Sequence, residues 1–313
     1  MDMGKKPPLL LVLLAFFCTY ILWGTMYIGI VIGLKTLPPF IMASFRFGLA
    51  ALILFLVCFL RGEKWVSGGI YQNLVLGTII ITGGQGLLFW SEQYIASGSA
   101  AILYATLPLW YVLLDRRNRG FYLRNRWVLV SLIIGFLGII LLFRSASAIA
   151  LHHNDAPIGI LAVLGGCICW ASGTLYYKNH PNSHSLLWNL AWQLTGGVIS
   201  SLLISYFSGE FVHFTLRQVS MDSWLATVYI TLAGSLAAFI AFNWLLTVRP
   251  AAVVGTYAYV NPAVALLLGW AIAHETIRPL QIMAMGVILV SAFLANSVRY
   301  RSANKISRQN RAL

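Results

Sequence analysis

Apolar runs long enough to cross a bilayer recur along this chain and constrain its fold more than any other feature. A transmembrane helix needs roughly 17 to 25 predominantly apolar residues. The sequence contains ten runs near that length, at residues 9–34, 39–60, 73–95, 98–114, 127–143, 158–177, 185–207, 224–248, 251–273 and 280–298. Only 9% of the residues are charged, whereas soluble domains carry about 25%. The runs therefore predict an all-α integral membrane protein with ten transmembrane helices.

Basic residues fall mainly on one of the two sides that ten crossings create. The N-terminal segment, the even-numbered connections and the tail at residues 299–313 hold sixteen of the 21 lysine and arginine residues, whereas the odd-numbered connections hold four. By the positive-inside rule, this asymmetry predicts that both termini are cytoplasmic and that residues 299–313 form a basic cytoplasmic tail. The net charge of +13 then reflects topology and contact with anionic membrane lipid, and we expect no nucleic-acid partner.

The first apolar run is compatible with a signal peptide or with a retained helix. It is 26 residues long, whereas the apolar region of a signal peptide has about 7 to 15 residues and precedes a small-residue cleavage site. No such site follows the run, so we expect a retained first helix. The four cysteines all lie in apolar runs and are expected to pack as core residues. We therefore predict no metal site and no cofactor.

The two halves of the chain share sequence patterns at a spacing of roughly 150 residues, which indicates an internal duplication. Residues 18–30, CTYILWGTMYIGI, resemble residues 165–178, GGCICWASGTLYYK. Residues 98–114 and 249–268 each contain paired alanines followed by one mid-helix proline. Because five helices are an odd number, the second copy enters the membrane upside down. Inverted repeats of this kind are typical of transporters, with a solute site between the copies near the midplane.

Three motifs, ILWGTMY, ASFRFGLAA and LLLGWAIAHET, occur in this order within the duplicated framework. Together they resemble the EamA family of the drug/metabolite transporter superfamily, and in particular its bacterial inner-membrane exporters. The resemblance covers about residues 9–298 and implies two inverted five-helix repeats, at 9–144 and 158–298, around a central cavity. It also implies a multi-pass protein of the inner (cytoplasmic) membrane that exports small organic solutes, such as amino acids, metabolites or amphipathic drugs. The implied mechanism is secondary active transport by proton-coupled alternating access.

The first half departs from the family pattern at the end of its proline-bearing helix. The second half has a glutamate after this helix, Glu275, whereas the first half has the sequence DRRNRG with Asp115 close behind the membrane. We therefore expect the pseudo-symmetry to be imperfect at the cytoplasmic end.

Arg46 lies inside the apolar second helix, where a charge costs at least about 2.5 to 3.5 kcal/mol. It follows Pro39 by seven residues, which places it about 10 Å below the outer edge, and Glu92 lies near the outer end of the third helix. The two side chains can pair if they face each other. Their repeat equivalents, Gln193 and Asn243, would form an uncharged polar pair in the inner half. The sequence leaves open whether Arg46 and Glu92 lock helices together or line the translocation path, with Glu92 as the proton-coupling residue or a cation site.

Aromatic and polar side chains within the predicted helices are candidates for the cavity wall. Trp23 and Trp170 stand out because they occupy matching repeat positions beside small residues, and apolar walls with a few polar groups suit an amphipathic solute. Packing or an interfacial belt would also explain aromatic residues in these helices. The complete predicted set is Trp23, Tyr27, Arg46, Gln85, Trp90, Glu92, Tyr104, Thr106, Trp110, Trp170, Gln193, Asn243, Tyr257, Tyr259 and Asn261.

Pro108 and Pro262 are matched prolines inside predicted helices. A proline within a helix frees a backbone carbonyl and permits a kink, and matched interrupted helices in both halves indicate the site of a transporter. We therefore predict hinges at both positions, with a static kink as the alternative.

Several functions other than proton-coupled export are compatible with this fold. A facilitative exchanger or an uptake carrier would use the same architecture. An integral membrane enzyme would need catalytic motifs, and the sequence contains no G-x-S-x-G, H-E-x-x-H or G-x-x-x-x-G-K-[ST] pattern, so we expect no enzymatic activity. A channel is the remaining alternative. The expected partners are a small-molecule solute, protons and membrane lipid. The sequence leaves the oligomeric state open, and a monomer is compatible with it.

Overall fold

The computed structural model describes residues 7–63, 68–116, 120, 124–144, 155–180, 185–249, 254, 257–291 and 293–294, and every structural statement below concerns these residues. They form helices and turns, without a β-strand among them. Seven helices are long and apolar enough to cross a membrane, and three further helices are apolar. The predicted all-α membrane fold is therefore confirmed, whereas ten crossings and an inverted repeat stay predictions.

The ten apolar helices follow one another along the chain and are numbered in that order. They are α1 (Leu9–Gly33), α2 (Pro39–Leu60), α3 (Ile70–Ser91), α4 (Ser97–Leu114), α5 (Arg126–Arg144), α6 (Ala156–Asn179), α7 (Leu186–Phe207), α8 (Met221–Val248), α9 (Tyr257–Ala273) and α10 (Pro279–Ser291). A short helix, Glu210–His213, and a single 3₁₀ turn, Leu216–Gln218, lie between α7 and α8.

Two helices differ from the predicted apolar runs in ways that the composition does not reveal. α3 ends at Ser91, whereas its apolar run continues to residue 95, because the chain turns there and the Tyr94 N–H donates to the Ser91 carbonyl at 2.9 Å. α4 is interrupted between Tyr104 and Leu107. Pro108 follows this interruption, and because proline has no backbone N–H it cannot continue the hydrogen-bond pattern of the preceding turn.

The outward faces of the helices carry large apolar side chains. Phe207, Phe59 and Leu60 are 82%, 79% and 73% exposed. Extensive exposed apolar surface marks a membrane or protein contact, and the helix lengths favour the membrane. The polar side chains within the apolar helices, in contrast, are mostly buried against other helices.

Three helices contain π-helical segments, in which each backbone hydrogen bond spans five residues and the helix widens. The segments are Cys18–Leu22 in α1, Thr78–Gly86 in α3 and Thr231–Ala238 in α8. Each contributes a buried polar side chain to the interior, Thr19, Gln85 and Ser235 respectively. Because π-helical turns frequently lie at functional sites, these segments indicate a candidate functional site in the space between α1, α3 and α8.

A carboxylate that follows α9 caps the first turn of α4. Glu275 accepts hydrogen bonds from the Ser97 backbone N–H at 2.8 Å, from the Ser97 hydroxyl at 2.7 Å and from the Gly98 N–H at 3.3 Å. The first N–H groups of a helix have no partner within the helix, and a negative charge is favourable at that end of the helix dipole.

A second carboxylate caps α2 in the same manner. Glu210, in the short helix after α7, accepts from the backbone N–H groups of Phe40 at 3.2 Å and Ile41 at 3.0 Å. Both capping glutamates thus come from the C-terminal half of the chain and stabilise helices of the N-terminal half.

α3 and α7 approach each other so closely that two glycines are required. A Cβ atom at Gly77 would lie 1.9 Å from the carbonyl oxygen of Gln193, and one at Gly196 would lie 2.1 Å from that of Leu74. No side chain fits at such separations, so the two backbones are in direct contact. Small residues allow this kind of packing between membrane helices.

Candidate solute-binding cavity

A small buried cavity lies among α1, α3, α4, α6 and α9, between helices of both halves. Its volume is about 30 Å³, which is room for about two water molecules. Seven of the predicted candidates line it together with two further residues, and all nine side chains are uncharged. They are Trp23, Tyr27, Gln85, Tyr104, Trp170, Tyr257 and Asn261, with Met26 and Leu88.

Trp23 is the centre of an aromatic cluster on the cavity wall. Its ring centroid lies 4.9 Å from that of Tyr257, 5.1 Å from that of Phe242 and 5.9 Å from that of Trp170. The contact with Trp170 joins the two tryptophans that occupy matching repeat positions in the sequence. The Trp23 indole N–H donates to the Gly234 carbonyl at 3.2 Å, which fixes the ring and uses its only donor.

Three residues of the cavity wall each hold a buried polar atom without a hydrogen-bond partner among the described residues. These atoms are the amide oxygen of Gln85, the hydroxyl of Tyr104 and the indole nitrogen of Trp170. The residues are 7%, 9% and 2% exposed, respectively. A buried polar group without a partner is destabilising by about 1 to 3 kcal/mol. The wall therefore retains hydrogen-bonding capacity that the protein itself does not use.

Asn261 belongs to the cavity wall, but its amide nitrogen donates hydrogen bonds to backbone groups. With the amide oriented so that its nitrogen faces acceptors, it donates to the carbonyl oxygens of Tyr20 at 2.8 Å and Tyr257 at 3.1 Å. The Tyr20 carbonyl lies within the π-helical segment of α1. Asn261 thus ties α1 to α9 beside the cavity.

Arg46 is fully buried but does not line the cavity. Its Nε donates to the Ser235 hydroxyl of α8 at 2.7 Å, and its Nη2 donates to the Met26 sulfur of α1 at 3.1 Å. The guanidinium carbon lies 4.9 Å from the ring centroids of both Phe47 and Phe89, within the range of cation–π attraction. Arg46 therefore joins α2 to α1, α3 and α8.

The pairing considered for Arg46 and Glu92 is not formed. Both carboxylate oxygens of Glu92, and Nη1 of Arg46, are buried without a hydrogen-bond partner in the described part of the chain. Arg46 is directed toward α8, whereas Glu92 follows the last residue of α3. Similar depths are predicted for the two side chains from the sequence, but depth does not determine the direction in which a side chain leaves its helix.

The second predicted pair, Gln193 and Asn243, is also separated. Gln193 donates to the side-chain oxygen of Asn73 at 3.2 Å, and Asn73 donates to that of Asn189 at 2.8 Å. Asn243 donates instead to the Phe239 carbonyl of its own helix at 2.9 Å. Gln193 therefore belongs to a polar contact between α3 and α7 and not to the cavity.

Thr106, Trp110 and Trp90 also lie outside the cavity wall. Trp110 donates its indole N–H to the Thr106 hydroxyl at 3.1 Å, across the interruption in α4. Trp90 is half-buried and packs edge-on against Tyr94 at 4.9 Å. The side chain of Tyr259 is outside the described residues.

The two prolines predicted as matched hinges occupy different backbone environments. Pro108 lies at the start of the second part of α4, just after the interruption. Pro262 lies inside α9, which is continuous from Tyr257 to Ala273. The backbone therefore breaks at the first proline only, and a hinge function stays a prediction at both.

Sequence reasoning missed two residues of the cavity wall and the partner of Arg46. Met26 and Leu88 are apolar and carry no chemical signal, but each follows a predicted wall residue by three positions, Trp23 and Gln85 respectively. Residues three apart on a helix are neighbours on one face, so this spacing could have identified them. Ser235, the partner of Arg46, has no comparable signal.

A family model described as the EamA-like transporter family matches residues 9–144 and 157–297. The inner membrane transporter YedA of Escherichia coli (strain K12) is 32% identical over 289 residues, which cover 91% of this chain and 90% of that protein. The transporter YoaV of Bacillus subtilis (strain 168) is 21% identical over 273 residues, with 85% and 90% covered. The protein PecM of Dickeya dadantii (strain 3937) is 24% identical over 291 residues, with 90% and 91% covered.

A crystal structure of another protein also resembles this fold. The two chains superpose with a TM-score of 0.61 at 16% sequence identity, and the match covers 93% of this chain and 98% of the other. At this identity the likeness concerns the fold alone.

Proposed function

Because this chain belongs to the EamA-like transporter family, we propose that it is a secondary active exporter of small organic solutes that works by proton-coupled alternating access. The relatives establish a multi-pass inner membrane transporter. We infer the solute class, the direction of transport and the proton coupling from the fold and the cavity.

The small aromatic cavity is the observation that carries this proposal. It lies between helices of both halves, where transporters built from two repeats hold their solute. At about 30 Å³ it admits about two water molecules and no organic solute. A solute enters only if the surrounding helices separate, and a site that must open to be filled favours a carrier over a channel.

The interrupted helix α4 supplies a place for such movement. The chain bends between Tyr104, which lines the cavity, and Leu107. A change of backbone angles at this interruption would move Tyr104 relative to the second part of α4, Leu107–Leu114. Hinges in proteins are commonly a few residues at the end of an element.

Glu92 is the residue that we propose to carry the proton. It is 2% exposed and neither of its carboxylate oxygens accepts a hydrogen bond within the described chain. An ionised carboxylate without a partner is costly in such surroundings. Movements that alternately expose and bury Glu92 would therefore bind and release a proton, and ionisable residues inside membranes commonly serve such relays.

A flux experiment tests the proposed function. Cells with and without the gene are screened for growth sensitivity to amino acids, their analogues and dyes, and the strongest hit is measured in proteoliposomes under an imposed pH gradient. We expect accumulation against the solute gradient, with saturation, and collapse of this accumulation when a protonophore is added. Passive flux that neither saturates nor responds to the gradient would overturn the carrier mechanism.

A further inference from the structure

The chemistry of the cavity wall identifies a narrower solute class. We propose that the solute is a net uncharged compound with a flat aromatic body and an amide-type edge, that is, a carbonyl acceptor beside an N–H donor. The proposal rests on the transport function proposed above and concerns what the cavity recognises. Three properties of the wall lead to it: its lack of charge, its unused hydrogen-bonding atoms and its aromatic surfaces.

None of the described side chains that line the cavity is charged. The guanidinium of Arg46 lies outside the wall: its Nε donates to Ser235 and its Nη2 to the sulfur of Met26, which itself belongs to the wall, while Nη1 has no partner among the described residues. An ionic solute would leave its hydration shell and meet no opposite charge. Because burying an unpaired charge is far more costly than burying a neutral polar group, the wall favours uncharged solutes over ions and over zwitterions.

The unpartnered polar atoms of the wall are of two kinds. The indole N–H of Trp170 is a donor only, and the amide oxygen of Gln85 is an acceptor only, while the Tyr104 hydroxyl can act as either. A solute that satisfies both Trp170 and Gln85 must present an acceptor and a donor. An amide or lactam edge presents one of each, side by side.

The aromatic walls select for a ring. Trp23, Trp170 and Tyr257 contribute faces and edges to one space, and aromatic rings prefer offset-stacked or edge-to-face partners. Trp170 is also held close to the backbone of α3, since a Cβ at Gly84 would lie 3.1 Å from its ring. Movement toward α3 is therefore blocked, and a flat ring is the body that fits beside these walls.

Four indole compounds that share one ring and differ in charge test the class. They are indole-3-acetamide (neutral amide), L-tryptophan (zwitterion), tryptamine (cation) and indole-3-acetate (anion). Binding of each to the purified full-length protein in detergent is measured by isothermal titration calorimetry at neutral pH. We expect the amide to bind about tenfold more tightly than each of the other three. Such a difference in binding free energy corresponds to about one hydrogen bond or more. Equal or tighter binding of a charged member, or no binding by the amide, would overturn the proposal.

Variants of the wall locate the amide within the cavity. Trp170→Phe keeps an aromatic side chain but removes the indole N–H together with the five-membered ring, and should weaken indole-3-acetamide binding about five- to tenfold. The matched control is Trp224→Phe, because Trp224 packs against the partly exposed Phe45 and does not line the cavity; it should leave binding unchanged. Equal effects of the two variants would contradict the proposed contact.

Gln85→Glu provides a second variant that preserves size and reverses the preference. An added carboxylate should weaken binding of the amide and strengthen binding of tryptamine, so that their order inverts. An unchanged order would show that Gln85 does not contact the solute and would overturn the proposal.

Failure of the solute class and failure of the transport function give different results. If a charged solute is carried under a pH gradient and Trp170→Phe impairs its flux, transport stands and the neutral class is wrong. If the amide binds in the expected order but proteoliposomes show no gradient-driven flux of any screened solute, the class stands and secondary transport is wrong.

Discussion

Three glutamates near the ends of α2, α3 and α4 occupy two contrasting environments. Glu210 and Glu275 each accept hydrogen bonds from the first turn of a neighbouring helix. Glu92, one residue past α3, is buried and accepts none from the described chain. A carboxylate bound to a helix end cannot gain a proton without weakening that contact, whereas an unpartnered carboxylate can. We therefore expect Glu210 and Glu275 to stabilise the fold, whereas Glu92 is the residue that we propose for proton coupling.

The largest effect is expected when Glu92, which accepts no hydrogen bond from the described chain, is replaced by an uncharged residue. Glu92→Gln should abolish flux driven by a pH gradient, because the amide cannot carry a proton, while the free energy of unfolding should not fall, because the amide matches the carboxyl group in size and buries no charge. Gradient-driven flux in proteoliposomes and unfolding in mixed detergent micelles measure the two quantities. Asp222→Asn, at an exposed position in the first turn of α8, is the matched control and should leave flux unchanged. Undiminished coupling in Glu92→Gln would remove its assigned role.

The next largest effect concerns the cap of α4. Glu275→Ala removes the acceptor of three hydrogen bonds and should lower the free energy of unfolding by about 2 to 4 kcal/mol. Tryptophan fluorescence during titration from mild detergent into SDS measures this loss. Glu275→Gln keeps an acceptor oxygen and should lose less. If the alanine variant is as stable as the wild-type protein, the cap has no structural importance.

The cap of α2 should have a smaller effect. Glu210→Ala removes the acceptor of two backbone hydrogen bonds, and we expect a loss of about 1 to 2 kcal/mol in the same assay. A loss greater than that of Glu275→Ala would reverse the order that the numbers of hydrogen bonds predict.

The smallest effect should come from one bond within a cap. Ser97→Ala removes the hydroxyl that donates to Glu275 at 2.7 Å but leaves the backbone donors in place. We expect a loss of about 0.5 to 1.5 kcal/mol. In the double variant with Glu275→Ala the two losses should not add, because both remove the same bond. Full additivity would mean that the hydroxyl acts elsewhere.

The helices were largely predictable from composition, because the length of an apolar run and the thickness of a bilayer are directly related. α2 has the same first and last residues as its predicted run, Pro39–Leu60. The predictions failed where composition carries no information. The turn after Ser91 contains Glu92 and Gln93 but also the apolar Tyr94 and Ile95, so composition does not mark the end of α3. The start of α4 is capped by Glu275, which is distant in sequence.

The aromatic part of the cavity was also partly predictable. Trp23 and Trp170 were selected because they occupy matching positions in the two halves, and their rings lie 5.9 Å apart. Symmetry in the sequence served here as a guide to proximity. Matching repeat positions do not predict the contacts of polar residues such as Gln193 and Asn243, because their partners depend on which face of a helix each side chain occupies.

The partner of Arg46 could not have been found from the sequence. Depth arguments favoured an opposite charge, Glu92, but the guanidinium lies against a hydroxyl, a sulfur and two aromatic rings. Serine and methionine are common in membrane helices and give no signal of this role. Only the packing of α2 against α8 brings Ser235 within reach.

The close approach of α3 and α7 at Gly77 and Gly196 has a consequence for how the molecule can move. It fastens α3, from the N-terminal half, to α7, from the C-terminal half, by direct backbone contact. Two rigid halves rocking against each other would have to separate or slide at this point. The moving bodies are therefore expected to be mixed: α3 and α7 would travel together as one unit, and the boundary between moving parts would cut across the division of the sequence.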